Sequence, residues 1–271
     1  MTDPDNALQV ACIAPVAHIG LSSYGDYDFC LAHIAAAESD YASYFKRQRE
    51  KGRFVILDNG AYEIGNALSD NELMSIIEYI RPSEVVAPDV MFDSIATSTR
   101  LEMFFKNHAA LIHSMGIRIM VVPQGRGISE WTEHVKRVSE DFFFDTLGVP
   151  KWVSGIERRD DALLRLSPRT LHKFEHIHLL GMTNIDELRG FRVTVRSIDS
   201  KQPVKAVMLK ESFFNANLPP ITTFFDDDLG TDGQIDKTDY YNIAVAICKD
   251  FVATSKHLYG LQDVDILDGQ K

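Results

Sequence analysis

Short apolar runs, each closed by a lone carboxylate or amide, alternate along this chain with longer helix-like segments. Three stand out: FVILDNG at 54–60, MVVPQG at 120–125 and RVTVRSIDS at 192–200. Continuous apolar runs of this length mark strands covered on both faces, as in parallel sheets. Strands in strict alternation with helices imply parallel βαβ units. In a parallel barrel, the residues just past the strand ends share one face, and active sites sit there. Asp58, Gln124 and Asp199 are therefore candidates for one pocket. Two aspartates in one pocket are the minimum equipment for breaking and remaking a glycosidic bond.

The pattern predicts strands at 9–16, 54–57, 84–87, 117–122, 152–156, 177–180 and 193–198, with an eighth near 207–209. Helices are expected over 32–49, 71–80, 94–115, 130–140, 167–174 and 184–189, and a terminal amphipathic helix over 240–257. Ser69 reads as an N-cap with Glu72 completing a capping box, and Ser129 as the N-cap of the 130–140 helix. Eight repeats give an irregular (β/α)8 TIM-type barrel; five or six would suit an open doubly wound sheet. No GxGxxG or GxxxxGK[ST] follows the first strand, which weighs against the nucleotide-binding open sheets. The 271 residues, 45% of them hydrophobic, suffice for one large core, and no interdomain linker is evident, so a single domain over 1–271 is expected. Residues 211–239, rich in Asn, Pro, Asp and Gly, read as a long irregular excursion.

A net charge of −11 argues against a whole-surface nucleic-acid binder, though not against a local basic cleft. Arg158, Arg159, Arg165 and Arg169, followed by Arg189, Arg192, Arg196, Lys201 and Lys205, could line a phosphate track; an ordinary charged surface is the plain alternative. Cys12, Cys30 and Cys248 are odd in number and scattered, so neither a disulfide framework nor a zinc knuckle is expected, and a reducing cytoplasm is the natural compartment. The first eight residues lack the regions of a signal peptide, and no stretch approaches about 18 consecutive apolar residues, so no membrane partner is expected. His176 and His178 face the same side of a strand as a metal pair would, yet lie at its start, where a structural role is the expectation. The 228–239 stretch is a poor match to a calcium loop. The segment 24–27 could cover the pocket.

Polar residues decorate nearly every expected carboxyl end: 58–60, 89 with 92–93, 124–125, 157–159, 181–182 and 199–200. Asp, Asn and Gly also favour turns for purely local reasons. The ordered series FVILDNGAYE, VVAPDVMFDS, VVPQG, HLLGM and VRSIDS nevertheless resembles the motif series of the tRNA-guanine transglycosylase superfamily, over roughly residues 50–200. Its members are irregular (β/α)8 barrels that exchange guanine for a 7-deazaguanine. The resemblance implies Asp199 as nucleophile and Asp58 as general acid/base. It implies Asp93 at the purine edge, Gln124 and a backbone amide near Gly125 at its carbonyl side, Gly181 as a backbone contact, and Phe92 and Met182 against its faces. Asn59 is counted with the base-binding residues, and Arg158, Arg159, Arg196 and Lys201 with the nucleic-acid contacts.

No cofactor is implied, and the free deazaguanine base would be the second substrate. The tRNA-modifying members carry a cysteine-rich zinc site after the barrel; here only Cys248 lies beyond residue 30, so no such site can form. That departure resembles the DNA-modifying branch found in phages and bacterial modification clusters. It implies DNA ahead of tRNA as partner, in a host cytoplasm if phage-encoded, with possible accessory proteins that open the duplex. A hydrolytic nucleoside or DNA glycosidase using the same aspartates, and a catalytically inactive binding barrel, are the other classes.

Overall fold

Eight all-parallel strands in one sheet, with helices between them and a helix at the C-terminal end, make the chain an irregular (β/α)8 TIM-type barrel. The structure is a computed structural model and describes residues 7–65, 67–218, 224–225 and 237–261. The strands are β1 Gln9–Cys12, β2 Asp28–Leu31, β3 Val55–Asp58, β4 Glu84–Val86, β5 Arg118–Val121, β6 Thr146–Val149, β7 His176–Leu179 and β8 Ser197–Ser200. The helices are α1 Ala32–Ala37, α2 Ser39–Glu50, α3 Ala61–Ile64, α4 Asp70–Ile80, α5 Ser94–Phe104, α6 Ala110–Ser114, α7 Ile128–Asp141, α8 Arg159–Leu164, α9 Pro168–Leu171, α10 Gln202–Leu209 and α11 Lys237–Gly260. They form two compact units, one of residues 27–180 and one of residues 1–26 with 181–271.

The 27–180 unit carries β2 to β7, each paired in parallel with the next in chain order. Its sheet curls until the outermost strands meet inside. The ring of Phe29 on β2 stacks on that of His178 on β7, with centroids 5.8 Å apart and planes 13° apart. His178 is fully buried, and Arg118 Nη1 lies 2.9 Å from His176 Nε2. Both histidines thus serve the interior and the amino end of the sheet, as expected. In the other unit β1 pairs with β8, Ala11 opposite Asp199, and α11 packs on β1.

Several local expectations hold. Ser69 and Glu72 form the capping box: Glu72 N donates to Ser69 Oγ at 3.4 Å and Ser69 N to Glu72 Oε2 at 3.1 Å. The 94–115 helix is present, but a π-helical turn at Phe105–Ala109 interrupts it between α5 and α6, and Gly116 at φ 71° follows. The N-cap of α7 is Gly127 rather than Ser129. The terminal helix is α11, longer at both ends than expected.

Three strands differ from the sequence reading. β2 lies outside the strands read from the sequence; it opens on an aspartate, a residue that strands disfavour. Asp28 is fully buried there, and the Arg53 guanidinium clamps it twice, Nε to Oδ2 at 2.8 Å and Nη2 to Oδ1 at 3.1 Å. β6 lies at Thr146–Val149, and the expected strand at 152–156 is a 3-10 turn, Lys151–Gly155. Gly148 hid the strand, and packing requires it: a Cβ there would lie 2.7 Å from Val122 Cγ2. The expected eighth strand near 207–209 belongs to α10, whose first turn carries Pro203, and β8 falls at Ser197–Ser200, toward the end of the stretch read as the seventh strand. Residues 228–236, most of the calcium-like stretch, lie outside the described residues, as do 219–223 of the irregular excursion. Among the described residues no helix is long and apolar enough to cross a membrane.

Replacing Arg53 by Met should leave the Asp28 carboxylate buried without its fork of donors. We expect a loss of about 3 kcal/mol in unfolding free energy, read from the urea midpoint. A midpoint unchanged from the parent would show that the pair does not anchor β2.

Candidate active site

At the carboxyl ends of β3, β4 and β5 the 27–180 unit gathers a buried row of polar side chains. Asn59, one residue past β3, is almost wholly buried and spends every polar atom internally. Its Nδ2 donates to Ala87 O and to Asp89 Oδ1, both at 2.8 Å, and its Oδ1 accepts from Ala61 N at 2.8 Å. Asp89, past β4, is buried as well; its second oxygen accepts from Gln124 Nε2 at 2.5 Å. Gln124, past β5, turns its Oε1 the other way, where Trp152 Nε1 donates at 3.0 Å and Phe92 N at 3.2 Å. The remaining Nε2 contact is Met91 Sδ, at 4.0 Å. Behind the row, His134 Nδ1 lies 2.9 Å from both the backbone N and O of Gln124, and Ser98 Oγ lies 3.1 Å from its Nε2. Burial holds the His134 imidazole below its usual pKa.

Burial also acts on Asp89, pushing its pKa up to about 6; the donors on Asn59 and Gln124 and the charge of Arg100 oppose that shift without cancelling it. The sequence pattern alone gives Asp89 no role. The available signal was its position in VVAPDV, immediately past a strand, since Pro88–Asp89 ends the apolar run as the other motifs end theirs.

The other expected residues of this unit lie along the same edge. Asp58 ends β3, is buried, and accepts from Gly60 N through Oδ2 at 2.9 Å. Gly60 stands at φ 81° against His33, whose Nδ1 would be 2.9 Å from a Cβ. Asp93 is half-buried and N-caps α5, its Oδ1 accepting from Ile95 N and Ala96 N at 3.1 and 2.9 Å. Phe92 is held at φ 61°, a strained setting for an aromatic residue, with its ring about half exposed and 5.9 Å from that of Trp152. Gly125 lets the chain pass the start of α7, where a Cβ would lie 2.7 Å from Trp131 N. Tyr62, on α3, is exposed, and Lys151 Nζ sits 5.5 Å from its ring centroid.

Two expectations for this unit need revision. Asn59 has no donor left for a base, so it braces the row instead of touching a ligand. Arg159 is buried and donates through Nη1 to Leu180 O at 2.8 Å, which takes it off any surface phosphate track. Arg158 is partly exposed and tied to Asp160 at 2.9 Å. The 157–159 segment is not a strand end, because β6 stops at Val149.

In the unit of 1–26 and 181–271, Asp199 lies within β8 beside its carboxyl end and is buried. Its Oδ1 accepts from Gly181 N at 3.0 Å and its backbone O from Met182 N at 2.8 Å. Gly181, at φ 62°, makes the turn that brings these two donors together. The Met182 side chain is buried rather than standing open. Ser200 Oγ donates to Met182 O at 2.5 Å and accepts from Gln202 N at 2.9 Å. Arg196 Nε donates to Ser197 Oγ at 3.2 Å, and Lys201 Nζ lies 4.9 Å from the Phe225 ring centroid. Asp26, in the 24–27 segment, holds β1: Val10 N donates to its Oδ2 at 2.9 Å and Lys256 Nζ to its Oδ1 at 2.6 Å.

Among the described residues no three His, Cys, Asp or Glu side chains gather as a metal site requires. Comparison of the sequence with protein-family models and with curated proteins gives no match.

Because its folded pKa is raised, Asp89 contributes stability that is fully present below about pH 4 and lost as pH rises through about 6, of order 3 kcal/mol in total. Carboxyl-carbon NMR of the parent protein should show one aspartate titrating with a midpoint near 6 that is absent from Asp89→Asn. A midpoint in the usual aspartate range would contradict the burial argument.

Proposed function

We propose that this chain is a base-exchanging transglycosylase that replaces guanine in DNA with a 7-deazaguanine through a covalent glycosyl-aspartate intermediate. The observation that carries the reading is the row Asn59–Asp89–Gln124–Trp152 with Asp58 beside it: a buried, directional set of donors and acceptors at three successive strand ends, edged by the exposed ring of Phe92. A planar, polar, aromatic ligand matches such an edge, since its rim offers hydrogen-bonding groups and its faces offer a surface for stacking.

In this scheme an Asp199 oxygen attacks the anomeric carbon as the bond to guanine breaks, leaving the sugar esterified to the enzyme. Guanine departs with its electron pair and takes a proton, which Asp58 is suited to supply. Donors to the base carbonyl, such as the Gln124 amide, strengthen as negative charge develops there. Asp58 then removes the proton from the incoming deazaguanine, whose nitrogen displaces Asp199. A carboxylate at Asp93 that accepts from the amide and amino groups of guanine disfavours adenine, which would leave it unpaired. Asp93 already serves as a helix cap through one oxygen, so the other is the one available for this work. The target base is hidden in a stacked duplex, so flipping or an unpaired substrate is required. DNA is preferred to tRNA because the chain has only three cysteines, too few beyond the barrel for the zinc site of the tRNA-modifying members.

Cells expressing the chain and supplied with a deazaguanine should accumulate the modified nucleoside in digested DNA and not in digested tRNA, as measured by mass spectrometry. Asp199→Ala and Asp58→Ala should each reduce it by more than about 10³-fold. Modification confined to tRNA would overturn the choice of nucleic acid, and abasic sites in place of exchanged base would overturn the exchange.

A further inference from the structure

We propose that Asp89 is a positioning residue: it fixes the polarity of the Gln124 amide and, through it, holds Phe92 and Trp152 as one wall of the base pocket. That the wall belongs to a base pocket rests on the base-exchange reading; the relay from Asp89 to Trp152 does not.

Hydrogen-bond valence carries the inference. An ionised carboxylate only accepts, so both neighbouring amides must turn their NH2 groups toward it, as Asn59 and Gln124 do. Each amide is also fixed from its far side. Asn59 Oδ1 accepts from Ala61 N, and Gln124 Oε1 accepts from the indole of Trp152 and the backbone of Phe92. Flipping Gln124 would set its NH2 against two N–H donors. Flipping Asn59 would set its oxygen against Ala87 O and its NH2 against Ala61 N. The row therefore has one self-consistent polarity, and Asp89 is the member that imposes it. Its reach extends to Phe92, whose left-handed backbone carries its N–H to Gln124 and whose ring meets Trp152.

Asp89→Asn keeps the shape and replaces one acceptor by an NH2, so some donor–donor contact becomes unavoidable. The double variant Asp89→Asn with Gln124→Glu restores the logic with the charge moved one position: the new amide accepts from Asn59 and donates to the new carboxylate, whose other oxygen still accepts from Trp152 and Phe92.

The chain has two tryptophans, and Trp131 is buried elsewhere on α7, so two indole N–H resonances are expected in substrate-free protein labelled with 15N-tryptophan, assigned through Trp152→Phe. In Asp89→Asn the Trp152 resonance should move upfield and exchange with solvent about tenfold faster, while Trp131 stays in place. The double variant should return Trp152 toward its parental position. Should the single variant fail to fold, recovery of the fold and of the Trp152 resonance in the double variant supports the proposal, and no recovery overturns it. A folded Asp89→Asn with an unchanged Trp152 resonance also overturns it.

Calorimetry with a 7-deazaguanine base separates the relay from the function. On the base-exchange reading the single variant binds at least tenfold more weakly, and the double variant stays weak because Gln124 no longer offers an N–H. Restored indole signals in a protein whose parent binds no base would sustain the relay and defeat the reading of the pocket.

Discussion

Parallel strands oblige the chain to leave each strand at a carboxyl end, where the first amides of the following segment have no partner in the strand ladder. Those amides need acceptors, because an unpaired buried N–H costs about as much as a lost hydrogen bond. In both units the acceptors are side chains two or three positions back or one strand over. Asp58 serves Gly60, Asn59 serves Ala61, Asp93 serves the start of α5, Asp199 serves Gly181, and Ser200 serves Gln202. The rest of the architecture depends on this satisfaction of strand-end amides.

It follows that turn-forming and ligand-binding accounts of these residues are not rivals. A carboxylate has more lone pairs than backbone amides alone consume, and Asp93 meets both of its amides, Ile95 N and Ala96 N, through a single oxygen. Asn59 differs, since an amide has only two N–H groups and both are taken. Valence, more than residue type, separates the positions that can act on a substrate from those that brace them.

The architecture was legible in the sequence wherever apolar periodicity and cap chemistry agreed, as at β3, at the Ser69–Glu72 box and at β5. It was illegible where a distant partner overrides local preference. β2 opens on a buried aspartate clamped by Arg53, and β6 contains a glycine that Met120 on β5, with Val122 and Leu180 just past β5 and β7, forces to be small. The strand-end aspartates and Gln124 were visible because they sit just past strong apolar runs. Spacing puts Trp152 in a strand and gives Asp89 no function, because what each does depends on hydrogen bonds to side chains one or more strands away. Pairwise tertiary geometry of that kind leaves no trace in spacing.

The pairing of β1 with β8 gives the chain an awkward birth order. The ribosome makes Gln9–Cys12 before the 27–180 unit, yet the partner named by the register, Ser197–Ser200, is made only after every residue of that unit. Throughout that interval a short apolar ribbon must wait with its hydrogen-bonding edge bare, the condition in which strands recruit wrong neighbours. Selection on Gln9–Cys12 therefore has to balance their fit beside Asp199 against how quietly they can remain unattached during synthesis.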